Sequence, residues 1–376
     1  MAGHKVKLAL AFGAVGYFFI NLSMIENRKF NFRRGDMERQ KTRREFLQTS
    51  VISTAALAMG DAMLAQTGGT TSGIPTRPLG KTGVSVSILC LGGWHIGAVS
   101  EEAEAIRIMH AAIDEGINFF DNAWDYHDGR SEEWMGDGLV QGGKRNMVFL
   151  MTKNCERDYA GSKRNLEDSL RRLKTDHLDL WQFHEMNYDN DPDWVFEKGG
   201  LKAALEAQKA GKVRFIGFTG HKDPRIHLKM LNKPYDWDAA QMPINVMDAH
   251  YRSFQHEVVP VCLAKQVGVL GMKSLAGGFP KGRIPSQGGV TAVDCIRFAL
   301  TQPVSSLVVG IPSMEVLKQD VDVARNFKPM PEAEKATLLS RIREEASDGR
   351  HELFKSTKAF DGLHHRKQHG FEVGTA

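Results

Sequence analysis

From residue 86 onward, short apolar runs alternate with stretches in which apolar positions recur every three to four residues. The runs, at 86–92, 118–122, 147–152, 178–183, 213–218, 239–243, 268–272 and 305–310, have the length and the β-branched and aromatic content of buried strands. The stretches at 101–115, 131–140, 160–174, 200–210, 223–231, 256–267, 291–301 and 313–326 read as helices. In the first of them Ala105, Ile108, Met109, Ala112 and Ile113 share one face. Eight strand-then-helix units predict a parallel α/β sheet. No GxGxxG opens a helix after the first run, where Leu91-Gly92-Gly93-Trp94 has adjacent glycines only and reads as a loop. A closed (β/α)8 TIM barrel is therefore expected rather than a doubly wound sheet.

The barrel is expected to span 77–330. Ahead of it, Gly-containing turn chemistry within 77–87 predicts a hairpin, and QTGGTTSG at 66–73 has linker composition, so 67–76 reads as a linker. Behind it, 331–376 reads as a charged helix followed by a loose, solvated tail that carries His364, His365 and His369.

Composition narrows the function class. The chain has 376 residues, 42% of them apolar and 25% charged, ample for one large core. Its net charge of +4 is concentrated near the start: residues 1–66 hold 10 Lys/Arg against 5 Asp/Glu, and the remainder is close to neutral. A basic face for nucleic acid is therefore not expected. Cys90, Cys155, Cys262 and Cys295 are widely spaced without a CxxC pair, so neither a disulfide framework nor a structural zinc is expected.

Two segments near the start read as addresses. Thr42-Arg43-Arg44-Glu45-Phe46-Leu47, followed by a moderately apolar stretch at 51–65, resembles the twin-arginine export signature, so 37–66 is expected to act as a signal peptide recognised by that export machinery. The resemblance implies a periplasmic or otherwise exported protein that travels folded, with cofactor held tightly. Upstream, 8–25 is an uncharged run of 18 residues, long enough to span a membrane. The preferred reading takes Met37 as the start and 1–36 as a gene-start artefact, and the alternative is an inner-membrane anchor.

Four residues at strand ends carry the candidate chemistry: Asp121 and Tyr126 in FFDNAWDY, Lys153 closing VFLMTK, and His184 closing LDLWQFH. Taken singly, each has an ordinary structural explanation as a helix cap, a half-buried aromatic, a solvated strand end or a core histidine. Together, on successive strand ends, the four resemble the catalytic set of the aldo-keto reductases, and the resemblance covers roughly 77–330. It implies an NAD(P)-dependent oxidoreductase that passes hydride between a nicotinamide cofactor and an aldehyde, ketone or sugar-like substrate. Tyr126 would exchange the proton, Lys153 would lower its pKa toward the working range, Asp121 would position Lys153, and His184 would orient the substrate oxygen.

The resemblance extends less securely to the cofactor. Thr219-Gly220 stands where the family has a Ser-Asn pair on the nicotinamide carboxamide, and Gln241 matches its second carboxamide ligand. Met272-Lys273-Ser274-Leu275 replaces the aromatic residue and Ser-Pro-Leu-like turn that follow the seventh strand. Gly310, Ser313 and Asp320 fall in the stretch resembling the adenosine-phosphate site, which is poor in cations apart from Lys318 and leaves NADP and NAD both open. Two other readings compete: a cofactor-binding sensor or assembly subunit with little turnover, and a barrel metallohydrolase using Asp121, His184, Glu185 and His221. The second leaves Tyr126 and Lys153 without a purpose, and no metal is expected.

Overall fold

A computed structural model describes residues 68–71, 73–277, 282–284 and 287–372. The twin-arginine segment and the apolar run at 8–25 lie outside the described residues. Among those residues, no helix is long and apolar enough to cross a membrane.

Eight parallel strands close into a barrel: β4 (Leu89–Gly92), β5 (Phe119–Asp121), β6 (Phe149–Asn154), β7 (Leu178–Phe183), β8 (Val213–Thr219), β9 (Ala239–Pro243), β10 (Gly268–Met272) and β11 (Ser306–Val309). Pairing of Leu307 with Leu89 joins the last strand to the first. Ahead of the barrel lies an antiparallel sheet of β1 (Gly68–Thr71), β2 (Ile74–Pro78) and β3 (Ser85–Ser87). The expected hairpin is thus present as β2 and β3. The stretch read as a linker forms β1 and most of β2, because Ile74 and Thr76 bury their side chains instead of leaving them in solvent.

Strand periodicity decides what lines the barrel. Successive side chains point to opposite faces, so one parity points inward and the other meets the helices. Cys90, Phe119, Phe149, Met151, Leu180, Ala239 and Leu270 cluster in the interior with Leu79 and Val86 from below. Leu89, Leu91, Phe120, Leu150, Ile216, Phe218, Ala240, Met242, Val269 and Leu307 pack outward. Counting two residues on from interior positions gives Asp121, Lys153, Gln241 and Met272, and counting four on from Leu180 gives His184. The inward parity that fills the core thus delivers the polar candidates to one end of the barrel.

Helices follow the strands as the periodicity predicts, with three differences, one of them an additional short helix at Asp191–Glu197. The stretch 256–267 divides into Phe254–Glu257 and Val259–Ala264 at Val258, beside Pro260, whose ring cannot continue the helix before it. Gly93–Gly97, read as a loop, is a short helix. It approaches so closely that a Cβ on Gly93 would lie 2.4 Å from the Asp121 carbonyl oxygen.

The C-terminal segment corrects the expectation of a loose tail. Glu332–Ala346 is a helix whose Leu338, Ile342 and Ala346 join Val246, Met247, Phe298 and Phe354 in a separate small core. Two short helices follow, Leu353–Ser356 and Leu363–Gln368. Lys355 is buried against Asp248 at 2.6 Å and the Tyr251 carbonyl at 2.8 Å. His365 is 1% exposed. The tail is held by a run of buried polar contacts, which simple apolar periodicity does not register.

Candidate active site

At the C-terminal end of the strands, Lys153 is the hub. It is 1% exposed and bonds the Asp121 carboxylate, the Asn122 carbonyl at 2.6 Å and the Tyr126 hydroxyl at 3.2 Å. Asp121 ends β5, and Tyr126 is carried by the turn of helix that follows it, Tyr126–Gly129. His184 lies one residue past β7 with its ring centre 5.6 Å from that of Tyr126, in an edge-on arrangement. The four residues singled out as catalytic therefore converge on one spot.

The electrostatics differ from expectation. The Tyr126 phenol is pushed well above its ordinary pKa, first by burial and then by the negative charges of Asp121, Asp125 and Glu185. The Lys153 ammonium beside it is bonded at the same time to Asp121 and to the Asn122 carbonyl. The phenol therefore carries its proton, and this arrangement disfavours a standing phenolate. Burial also lowers the pKa of His184, against Asp125 and Glu185, which pull it upward.

Behind His184 lies a layer that the sequence motif does not include. The Nδ1 atom of His184 is 3.2 Å from Asp125 Oδ1 and 3.5 Å from Cys155 Sγ. Its carbonyl faces His365 Nε2 at 3.1 Å, and the other nitrogen of His365 is ion-paired with Glu185 at 3.0 Å. Glu185 is thus turned inward, in a left-handed conformation with φ 53°, and it accepts the Gly362 amide on both oxygens. Burial would raise its pKa, but His365, His184 and His221 together bring it down to about 2. His221 turns instead toward Asn187 and Asp361. Asp361 also accepts from Tyr188 and pairs with Lys222 at 2.9 Å, which fastens the tail over this end of the barrel. The DY pair and the histidines of the tail were visible signals for this layer, but pattern alone gave them no common location.

The positions assigned to the cofactor fall on the neighbouring strand ends. Thr219 and Gln241 are register partners on β8 and β9, 2% and 1% exposed. Gln241 Oε1 accepts from Gln182 inside the barrel at 2.9 Å. Met272 closes β10, and Lys273 follows with φ 55° between the rings of Phe354 and Phe360, 5.5 and 5.6 Å from their centres. Ser274 is buried and Leu275 half-buried, packed against the small C-terminal core. Gly310 follows β11, where a Cβ would meet the His95 ring at 2.3 Å. Ser313 caps the helix Met314–Arg325 by accepting the Val316 amide at 3.3 Å. Asp320 departs from the group: it is 2% exposed on the buried face of that helix and is bonded by Gln319. Burial raises its pKa to about 7.

Comparison with known proteins agrees with this geometry. Residues 88–291 match the Aldo/keto reductase family profile. The chain is 32% identical over 236 residues to the uncharacterized oxidoreductase YrpG of Bacillus subtilis, covering 54% of this chain and 68% of that one. It is 29% identical to the aldo-keto reductase YhdN of the same organism, where the match spans 64% of the relative's length. A putative aldo-keto reductase from Pseudomonas aeruginosa superposes with a TM-score of 0.56 at 26% identity, covering 68% of this chain and 97% of that one. The chain belongs to the aldo/keto reductase family of NAD(P)-dependent oxidoreductases.

Proposed function

We propose that this protein reduces a small aldehyde, ketone or sugar-like carbonyl with NAD(P)H, and that Tyr126, Lys153, Asp121 and His184 carry the reaction. The observation that carries the reading is the Lys153 ammonium, bonded at once to Asp121 and to the Tyr126 hydroxyl inside a buried strand-end cluster. The donors at the ends of β8 and β9 fit a nicotinamide carboxamide, because a hydroxyl from Thr219 and an amide from Gln241 stand side by side in register. The bound cofactor supplies the hydride.

The chain's own residues supply the rest. Tyr126, kept protonated by its surroundings, donates its proton to the developing alkoxide. As it does so, Lys153 at 3.2 Å stabilises the phenolate that forms. Asp121 holds Lys153 in place, and the side chain of His184 beside Tyr126 orients the substrate oxygen. From the C-terminal tail, His365 covers the rear of His184 by bonding its carbonyl.

The test is purification without added nucleotide, identification of any bound dinucleotide, and single-turnover oxidation of NADPH and NADH with model aldehydes. Oxidation at catalytic rates supports the enzyme. Tight dinucleotide binding without oxidation by any of them would favour the sensor or assembly subunit.

The residues Arg43 and Arg44, followed by an apolar stretch, support a second element of the reading: the protein works outside the cytoplasm after twin-arginine export. The span at 8–25 would supply a membrane anchor only if translation begins at Met1.

A further inference from the structure

Asp125, Cys155, His184 and His365 each bring one donor atom to within 4.8 Å of the other three, and Cys155, His184 and His365 are buried. The set mixes one thiol, two imidazoles and one carboxylate, the donor types that zinc and late first-row divalent ions take. Asp125 Oδ1 is enclosed and turned toward His184 Nδ1 at 3.2 Å. Glu185 stands behind His365 and is ion-paired to its Nδ1, as carboxylates commonly stand behind a metal-bound imidazole. The nitrogen this leaves for a ligand is Nε2, now 3.1 Å from the His184 carbonyl.

We propose that these four side chains form a site for one divalent cation of the Zn²⁺ class, in which His184 ligates through Nδ1 and keeps Nε2 for the substrate side. A thiolate, a carboxylate and two neutral imidazoles around a dication sum to zero charge, which suits a buried position. Binding releases to solvent the Cys155 thiol proton and the Nε2 proton with which His365 meets the His184 carbonyl, and a proton on His184 Nδ1 moves to Nε2, or to solvent where Nε2 already carries one. Tetrahedral zinc places its donors about 3.3–3.8 Å apart, so the cluster must close by roughly 1 Å from its present spread. On closing, His365 exchanges the His184 carbonyl for the ion. The bound ion fixes His184 with its proton on Nε2, whereas Asp125 alone draws the proton to Nδ1. This site differs from the set Asp121, His184, Glu185 and His221 and runs against the sequence expectation of no metal. It does not depend on the carbonyl-reduction reading.

The experiment uses untagged full-length protein, stripped with chelator and then dialysed against Zn²⁺ with metal analysis. The expected result is one equivalent retained per chain. Glu185→Gln should weaken retention by about 10–100-fold, and Cys155→Ser and His365→Gln by at least as much. Co²⁺ in place of Zn²⁺ should give a thiolate charge-transfer band and tetrahedral visible absorption. Cys155→Ser, nearly isosteric, should remove the band without unfolding the chain. His364→Gln, outside the cluster, should change nothing. Failure to retain stoichiometric Zn²⁺, or retention and a Co²⁺ spectrum unaltered by Cys155→Ser, would overturn the site.

Discussion

The ammonium of Lys153 touches Tyr126 twice, donating to its hydroxyl at 3.2 Å and lying 4.7 Å from the centre of its ring. The same ammonium is bound to Asp121, so one cation serves a carboxylate and a phenol together. Burial first, and then the charges of Asp121, Asp125 and Glu185, keep the phenol protonated although a cation stands beside it.

Tyr126→Phe should therefore remove most carbonyl reduction while leaving dinucleotide affinity nearly unchanged. Loss of a positioned proton donor costs on the order of 10²–10⁴-fold in rate. Steady-state kinetics with a parallel cofactor titration check both halves, and turnover near the parent's rate would take Tyr126 out of the mechanism.

Lys153→Met should damage stability as well as rate, because Asp121 is 2% exposed and its buried carboxyl would lose its partner. Breaking such a pair costs about 3–5 kcal/mol. Lys153→Met combined with Asp121→Asn should recover much of the stability and none of the activity. Urea denaturation of both variants beside kinetics separates the two effects, and recovery of activity in the double variant would refute the assignment of Lys153.

Asp320 gives a pH prediction. Its folded pKa is raised to about 7 by burial. Between the unfolded carboxylate value and that point, the unfolded state binds fewer protons than the folded one, so this group's contribution is fully present at low pH and is lost as pH rises toward 7. The total loss is on the order of 3–5 kcal/mol. Asp320→Asn should be more stable than the parent at pH 8 and show a flatter stability profile from pH 4 to 8. If Asp320 instead contacted the dinucleotide, the substitution would weaken cofactor binding, and titration reports that separately.

Arg77, wholly buried, donates to the Val304 and Leu300 carbonyls at 2.8 and 2.9 Å. It ties β2 to the helix Ala292–Thr301 and to the loop that leads into β11. Arg77→Met should lower stability by about 2–4 kcal/mol, because two buried carbonyls lose their donor. Denaturant midpoints measure this, and a change below measurement error would show that water or another donor takes over.

Arg43→Lys together with Arg44→Lys should leave the protein folded and unexported. A chain begun at Met37 should export normally. Fractionation of cells expressing each form decides the matter: unchanged periplasmic accumulation of the double variant would count against twin-arginine export, and failure of the Met37 form would favour the upstream anchor.

By itself the sequence determined the eight units and the identity of the Asp121, Tyr126, Lys153 and His184 set. Both follow from local rules: a strand's period of two carries inward parity from Phe119 to Asp121 and from Met151 to Lys153, and apolar spacing near 3.6 marks the helices between. What lies behind His184 was not legible in this way. Asp125, Cys155 and Glu185 belong to three different strand ends, and His365 is 181 residues beyond His184, joined to it through a carbonyl contact. Polar contacts across such separations leave no periodic trace, so the tail reads as loose until folding buries it. The same reason accounts for Tyr126: a neighbouring lysine in the motif suggests a lowered pKa, and only the three-dimensional count of nearby carboxylates, together with burial, reverses the sign. Only the tertiary structure decided these points, because burial and charge depend on everything nearby in space.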